Sequence, residues 1–179
     1  MNVRWDDIRD FVEVADGVHV AEGTVVLSDY HGFDVTALVV YDGERLVVDS
    51  LTVSRREGGE PVTGEALRKI TIQAMLRDNL RAATRIRGGA GADLPAGTVA
   101  RGQGMISEDD ADRLRDSGPV PETLAWVARI YRAADVVGDP PTKAVRETFG
   151  ISQSTAGNWI GRARSAGLIP PVRREGDGS

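Results

Sequence analysis

The chain has no cysteine in its 179 residues. Disulfides, thiolate metal sites and cysteine nucleophiles are therefore excluded, and the composition suits a cytosolic protein. Aromatic residues are scarce, at 5%, so a core has to be built mainly from Val, Leu, Ile and Ala. No apolar run approaches the roughly 18 residues of a membrane span. The start, "MNVRWDDIRDFVEVADG", has no basic start followed by an apolar run, so no signal peptide is expected. A cytoplasmic location without membrane contact is the expectation. Catalytic signatures are missing as well: there is no H-E-x-x-H, nucleophile elbow, dinucleotide fingerprint or phosphate loop. Of the two histidines, His31 lies in "SDYHGFD" beside Asp29, Tyr30 and Asp34, a grouping capable of acid–base work. A polar turn between strands gives the same pattern and is the simpler reading. His19 falls in an apolar strand. The chain is expected not to be an enzyme and to carry no cofactor or metal.

What is present is a packable chain, with 41% hydrophobic and 27% charged residues. Its net charge of −5 argues against nucleic acid until the distribution is read. Residues 1–120 hold 14 basic and 21 acidic side chains, whereas 121–179 hold 8 and 6. Within 140–174, Lys143, Arg146, Arg162, Arg164, Arg173 and Arg174 face a single acid, Glu147. An acidic body carries a basic end.

The first third reads as strands. "GVHVAEGTVVLS" is rich in valine, and two β-branched runs flank "YDGE", where Asp42-Gly43 signals a hairpin with positive φ at both turn positions. Beyond it, neither Leu46, Val48, Ser50, Thr52 nor the alternate set is purely apolar, so the pattern does not choose an inner face. "MNVRWDDIRDFVEVA" sets Trp5, Ile8 and Val12 at helical spacing, which predicts a short helix. "VTGEALRKITIQAMLRDNLRAATRIR" is expected to be mostly helical, with Thr63 as cap and the β-branched "ITI" as an interruption. Six glycines in residues 87–104 predict a linker.

After the linker the pattern is helical. Ser107 caps a helix whose first turn holds Glu108, Asp109 and Asp110, placed where the helix dipole favours acids. Capping explains that cluster more simply than a metal does. Pro121 opens a second helix, in which Leu124, Val127, Tyr131 and Ala134 form one stripe and Trp126, Ile130 and Val137 widen it. Thr142 is expected to cap a third helix, Lys143 to Phe149. Gly150 takes the position after it, and Ser152 caps a fourth helix running to Ala166. In that last helix Ala156, Trp159, Ile160 and Ala163 face inward. Gln153, Ser154, Gly157, Asn158, Gly161 and Arg162 are left outside.

"AVRETFGISQSTAGNWIGRAR" resembles a helix-turn-helix unit. The wider stretch from "TLAWVARIY" to "RSAGLIP" is similar to the C-terminal part of an uncharacterised group of actinobacterial helix-turn-helix proteins. The sequence departs from the usual pattern at Arg146, where a small residue is customary, and at Ala156, where a β-branched one is. The resemblance implies sequence-specific binding of double-stranded DNA, most simply by a transcriptional regulator. Gln153, Ser154 and Asn158 would read bases, because amides and hydroxyls match base edges in the major groove. Lys143, Arg146, Thr155, Arg162 and Arg164 would hold phosphates. Such a unit usually works as a pair, so a homodimer is expected. Rival readings are a protein–protein adaptor using the same helices, and a phage-type packaging or recombination protein.

The expected fold class is α+β. Residues 1–87 form an antiparallel sheet with a packed helix, serving dimerisation, partner binding or sensing. Residues 88–104 form the linker, 105–171 a tri- or tetra-helical domain, and 172–179 a disordered tail.

Overall fold

A computed structural model describes residues 2–71, 85–87, 93–95 and 105–169. The fold is mixed α+β. A six-stranded antiparallel sheet comprises β1 (Asn2–Ala15), β2 (Val18–Tyr30), β3 (Phe33–Tyr41), β4 (Leu46–Arg55), β5 (Arg85–Arg87) and β6 (Asp93–Pro95). Its order is β4-β3-β2-β5-β6, with β1 along the other side of β2. The helices among the described residues are α1 (Gly64–Lys69), α2 (Glu108–Ser117), α3 (Pro121–Val136), α4 (Pro141–Phe149) and α5 (Gln153–Ser165). The predicted tail, 172–179, and the stretch 72–84 of the predicted long helix lie outside the described residues.

The first correction concerns the N-terminus, which is strand and not helix. β1 carries irregularities between Trp5 and Asp7, Ile8 and Asp10, and Glu13 and Ala15. Each adds a residue, so Trp5, Ile8 and Phe11 come to lie opposite Val25, Gly23 and Ala21. A spacing of three produced by bulges imitates a helical stripe. The close approach also fixes Gly23: a Cβ there would sit 2.0 Å from the Asp7 carbonyl oxygen.

The second correction concerns 85–104. Arg85–Arg87, expected to end a helix, is a strand pairing His19 and Val20 of β2 through Arg87 and Ile86. Ile86 is fully buried there, and the pull of a core position overrides local helix preference. Asp93–Pro95, inside the expected linker, pairs with β5. α1 does begin at Thr63, whose hydroxyl accepts from the Ala66 N–H at 3.2 Å, and ends before the β-branched "ITI".

The β3–β4 hairpin forms, but only Gly43 of its loop has positive φ, at 101°. Asp42 acts through its side chain instead, accepting from the Glu44 and Arg45 N–H groups at 2.9 Å each. Those two backbone donors, Arg45 first, hold its carboxyl below the usual range. The His31-Gly32 turn has φ of 53° and 85° between the paired Tyr30 and Phe33. That is a tight hairpin turn, the polar turn between strands that the sequence offered as the simpler reading.

In the helical region α3, α4 and α5 pack on one another, with α2 against α3 and α4. Val127, Ile130, Leu114, Val145, Phe149 and Ala163 are at most 1% exposed. The expected cap at Thr142 is replaced: α4 starts earlier, with Pro141 in its first turn and no side-chain cap. Proline's fixed φ suits the first helical position. α3 also meets the sheet. The Arg132 guanidinium donates to the Val14 carbonyl at 3.2 Å, to the Gly43 carbonyl at 3.3 Å and to the Tyr41 hydroxyl. Arg129 pairs with Asp16.

Candidate nucleic-acid interface

α4 and α5 are joined by Gly150, Ile151 and Ser152. Gly150 adopts the left-handed conformation, φ 60° and ψ 32°, and its N–H returns to the Arg146 carbonyl. This stops α4 and turns the chain. Ser152 then caps α5, its hydroxyl accepting from the Thr155 N–H at 3.1 Å. Phe149 and Trp159 lock the pair, with rings edge-on and centroids 5.5 Å apart. Ala156, Ile160 and Ala163 complete the buried side of α5.

The opposite side is open. Gln153, Ser154, Gly157, Asn158, Gly161 and Arg162 are all exposed. They form two adjacent ridges at i, i+4 spacing: Gln153, Gly157, Gly161 and Ser154, Asn158, Arg162. A Cβ built on Gly157 or Gly161 meets nothing within 4 Å. Among the described residues no packing requires glycine at either position, although each costs roughly 1 kcal/mol of helix propensity relative to alanine. α5 contains no acidic residue. None of the large exposed hydrophobic side chains, which are Ile8, Val62, Leu67, Val120 and Leu168 among the described residues, lies on α4 or α5.

The residues singled out as phosphate holders divide. Arg162 is exposed and has no ion-pair partner among the described residues. Lys143 and Arg146 both approach Glu147, at 4.0 and 2.8 Å. Both are partly exposed, and surface pairs of this kind are weak enough to exchange partners. Thr155 is bound up with the cap, its hydroxyl 2.8 Å from that of Ser152. Arg164 turns inward: it donates to the Tyr131 hydroxyl at 2.8 Å, and its guanidinium lies 5.2 Å from the Tyr131 ring centre. It ties α5 to α3. Among the base-reading candidates, Gln153 and Asn158 project freely, while the Ser154 hydroxyl lies 2.9 Å from that of Ser152.

Sequence reasoning missed Arg132 and Tyr41, the bridge from α3 to the sheet. Residues 91 apart carry no local signal of contact. Among the described residues no group of His, Asp or Glu is arranged to hold a metal ion, and no helix is long and apolar enough to cross a membrane. No family model, curated protein or solved structure matches the chain.

Proposed function

We propose that the protein binds double-stranded DNA through a helix-turn-helix formed by α4 and α5, as a sequence-specific regulator of transcription. The observation that carries this reading is the outward face of α5. Amide and hydroxyl groups stand there around two glycines whose Cβ positions are empty, with no acid on the helix and with Arg162 uncompensated. Polar side chains able to bond base edges, on an acid-free helix capped by serine, match the chemistry of the major groove. The furrow at Gly157 and Gly161 lets a phosphate backbone or base edge come close.

In this reading Gln153 and Asn158 read bases, and Arg162 neutralises phosphate. Lys143 and Arg146 join it by releasing Glu147. Ser154 and Thr155 act first as parts of the cap, and Arg164 positions α5 from behind. An adaptor docking on α5 would need an apolar patch there, and the face has none. The acidic remainder of the chain repels nonspecific DNA, and the basic residues set against phosphates release counterions, so binding weakens as salt rises. A single unit of this kind reaches useful affinity as a pair, so the working form is a homodimer.

The test is selection of genomic fragments by the purified protein near physiological salt, beside a Gln153→Ala/Asn158→Ala variant. One recurring motif is expected, lost in the variant, since each good contact to a base contributes about 1–3 kcal/mol of discrimination. A folded protein that enriches no motif would falsify the sequence-specific reading.

A further inference from the structure

Among the described residues the sheet has edges without a further strand, and they are not alike. β1 carries its register shifts together with Arg4, Asp6, Asp7, Arg9, Asp10 and Glu13, devices that discourage a further strand. β6 is three residues long and ends in Pro95. β4 is ten residues long and contains neither proline nor lysine. Beyond its pairing with β3, it has no strand partner among the described residues. Its single irregularity leaves Asp49 as an extra residue between Val48, opposite Val39, and Ser50, opposite Leu38. From Ser50 to Arg55 the strand is regular.

The side chains of that regular run are distinctive. Leu51 and Val53 stand opposite Ala37 and Val35, which are fully buried, yet they are themselves only half-buried. The inner layer thus stops short at this edge. Asp49, just before the run, and Arg55, at its end, are exposed, and neither has an ion-pair partner among the described residues.

We infer that β4 pairs antiparallel with β4 of a second copy, about a two-fold axis at Thr52. This deepens the dimer named above by giving it a surface, and it rests on the sheet edge without needing the DNA reading. A two-fold axis through a continuous sheet must pass between one residue and its own copy, because residues directly opposite share a face. Centring on Leu51 would set Asp49 against a valine, and centring on Val53 would set Leu51 against an arginine. Centring on Thr52 sets Leu51 against Val53 of the partner subunit, Ser50 against Ser54 of the partner subunit, and Asp49 beside Arg55 of the partner subunit. Apolar meets apolar, hydroxyl meets hydroxyl and opposite charges close both ends.

The absence of cysteine makes the register directly testable. Directly opposed Cα atoms lie roughly 4.5–5.5 Å apart, inside the roughly 4.4–6.8 Å that a disulfide spans. The wild-type chain of 179 residues, sized by sedimentation over a dilution series, is expected at twice its 19.2 kDa mass. Thr52→Cys should oxidise to a covalent dimer. Ser50→Cys alone should not, whereas a mixture of Ser50→Cys and Ser54→Cys should. Reversing Asp49→Arg or Arg55→Asp singly should shift the equilibrium to monomer, and combining them should restore the dimer. Thr52, Ser50 and Ser54 are exposed, so folding can be checked by circular dichroism in every case. A wild type that stays monomeric, a Ser50→Cys chain that self-links as fast as Thr52→Cys, or a double reversal that stays monomeric would each overturn the pairing. The fragment selection above would stand or fall separately.

Discussion

Helices α2 and α5 begin alike and present opposite surfaces. Each follows a serine whose hydroxyl accepts a backbone N–H at 3.1 Å, and each buries one apolar side. α2 fills its first turn with Glu108, Asp109 and Asp110, which occupy the positive end of its own dipole. Its arginines are answered too. Arg113 bonds Glu122 at 2.9 Å and approaches Asp110, while Arg115 meets Asp112 at 2.7 Å and Asp116. α5 has glutamine and hydroxyl residues in its first turn, and Arg162 is left over. One helix satisfies its electrostatics within the chain. The other leaves Arg162 and a row of hydrogen-bonding side chains exposed, and the proposed DNA binding rests on that contrast.

The largest expected effect tests whether the two helices are equally well anchored. Trp159→Ala removes the ring that packs on Phe149, and Leu114→Ala removes the buried anchor of α2. Losses of about 3–5 and 2–5 kcal/mol respectively are expected, read from denaturant unfolding. A loss under about 1 kcal/mol for Trp159 would mean that α5 is held otherwise than described.

The next effect separates stability from binding. Gly157→Ala and Gly161→Ala should each raise stability by up to about 1 kcal/mol, because the added methyl meets nothing. Both should weaken DNA binding if the furrow admits DNA. Binding unchanged by either substitution would remove the furrow from the interface.

A smaller effect distinguishes two arginines two residues apart. Arg162→Ala should flatten the salt dependence of binding by about one phosphate contact, a slope change near 0.9, with stability unchanged. Arg164→Ala should do the reverse. It loses the bond to Tyr131, costing on the order of 1 kcal/mol, and leaves the salt slope alone. Equal slopes for the two variants would erase the division of labour read from their contacts.

How much of this was legible in the sequence differs between the halves. The helical half announces itself because its signals are local: Ser107, Pro121, Gly150 and Ser152 act within one turn of where they stand, and the buried set of α5 follows from spacing alone. Only the start of α4 moved, since proline at 141 does what a cap at Thr142 was expected to do. The sheet half hides its register in bulges. Leu46 and Val48, then Leu51 and Val53, share the inner face because Asp49 is an extra residue, so no strict alternation chooses a side. β1 is disguised for the same reason. β5 is three residues whose strand character comes from β2 and not from themselves. In the candidate interface, residue identities gave the outward set, but they could not reveal that Arg164 would turn to Tyr131 or that Thr155 would serve the cap.

The smallest effect probes the charge balance of α2 by pH. Arg113, through its hydrogen bonds first and its charge second, holds the Glu122 carboxyl below its ordinary value of 4.5. A lowered folded value means that the carboxylate form favours the folded state. The contribution is therefore present in full above the ordinary value and lost as pH falls through the lower folded one. Both side chains are more than half exposed, so the effect is small and salt-sensitive. Wild type should be slightly more stable than Glu122→Gln at neutral pH, and the gap should close in acid. α5 holds no carboxylate, so Glu122→Gln should leave DNA binding unchanged over the same range. A gap that persists in acid would show that Glu122 acts by packing. Binding that follows the substitution would show that the α2–α3 contact reaches α5, and the two helices would then no longer be independent in their electrostatics.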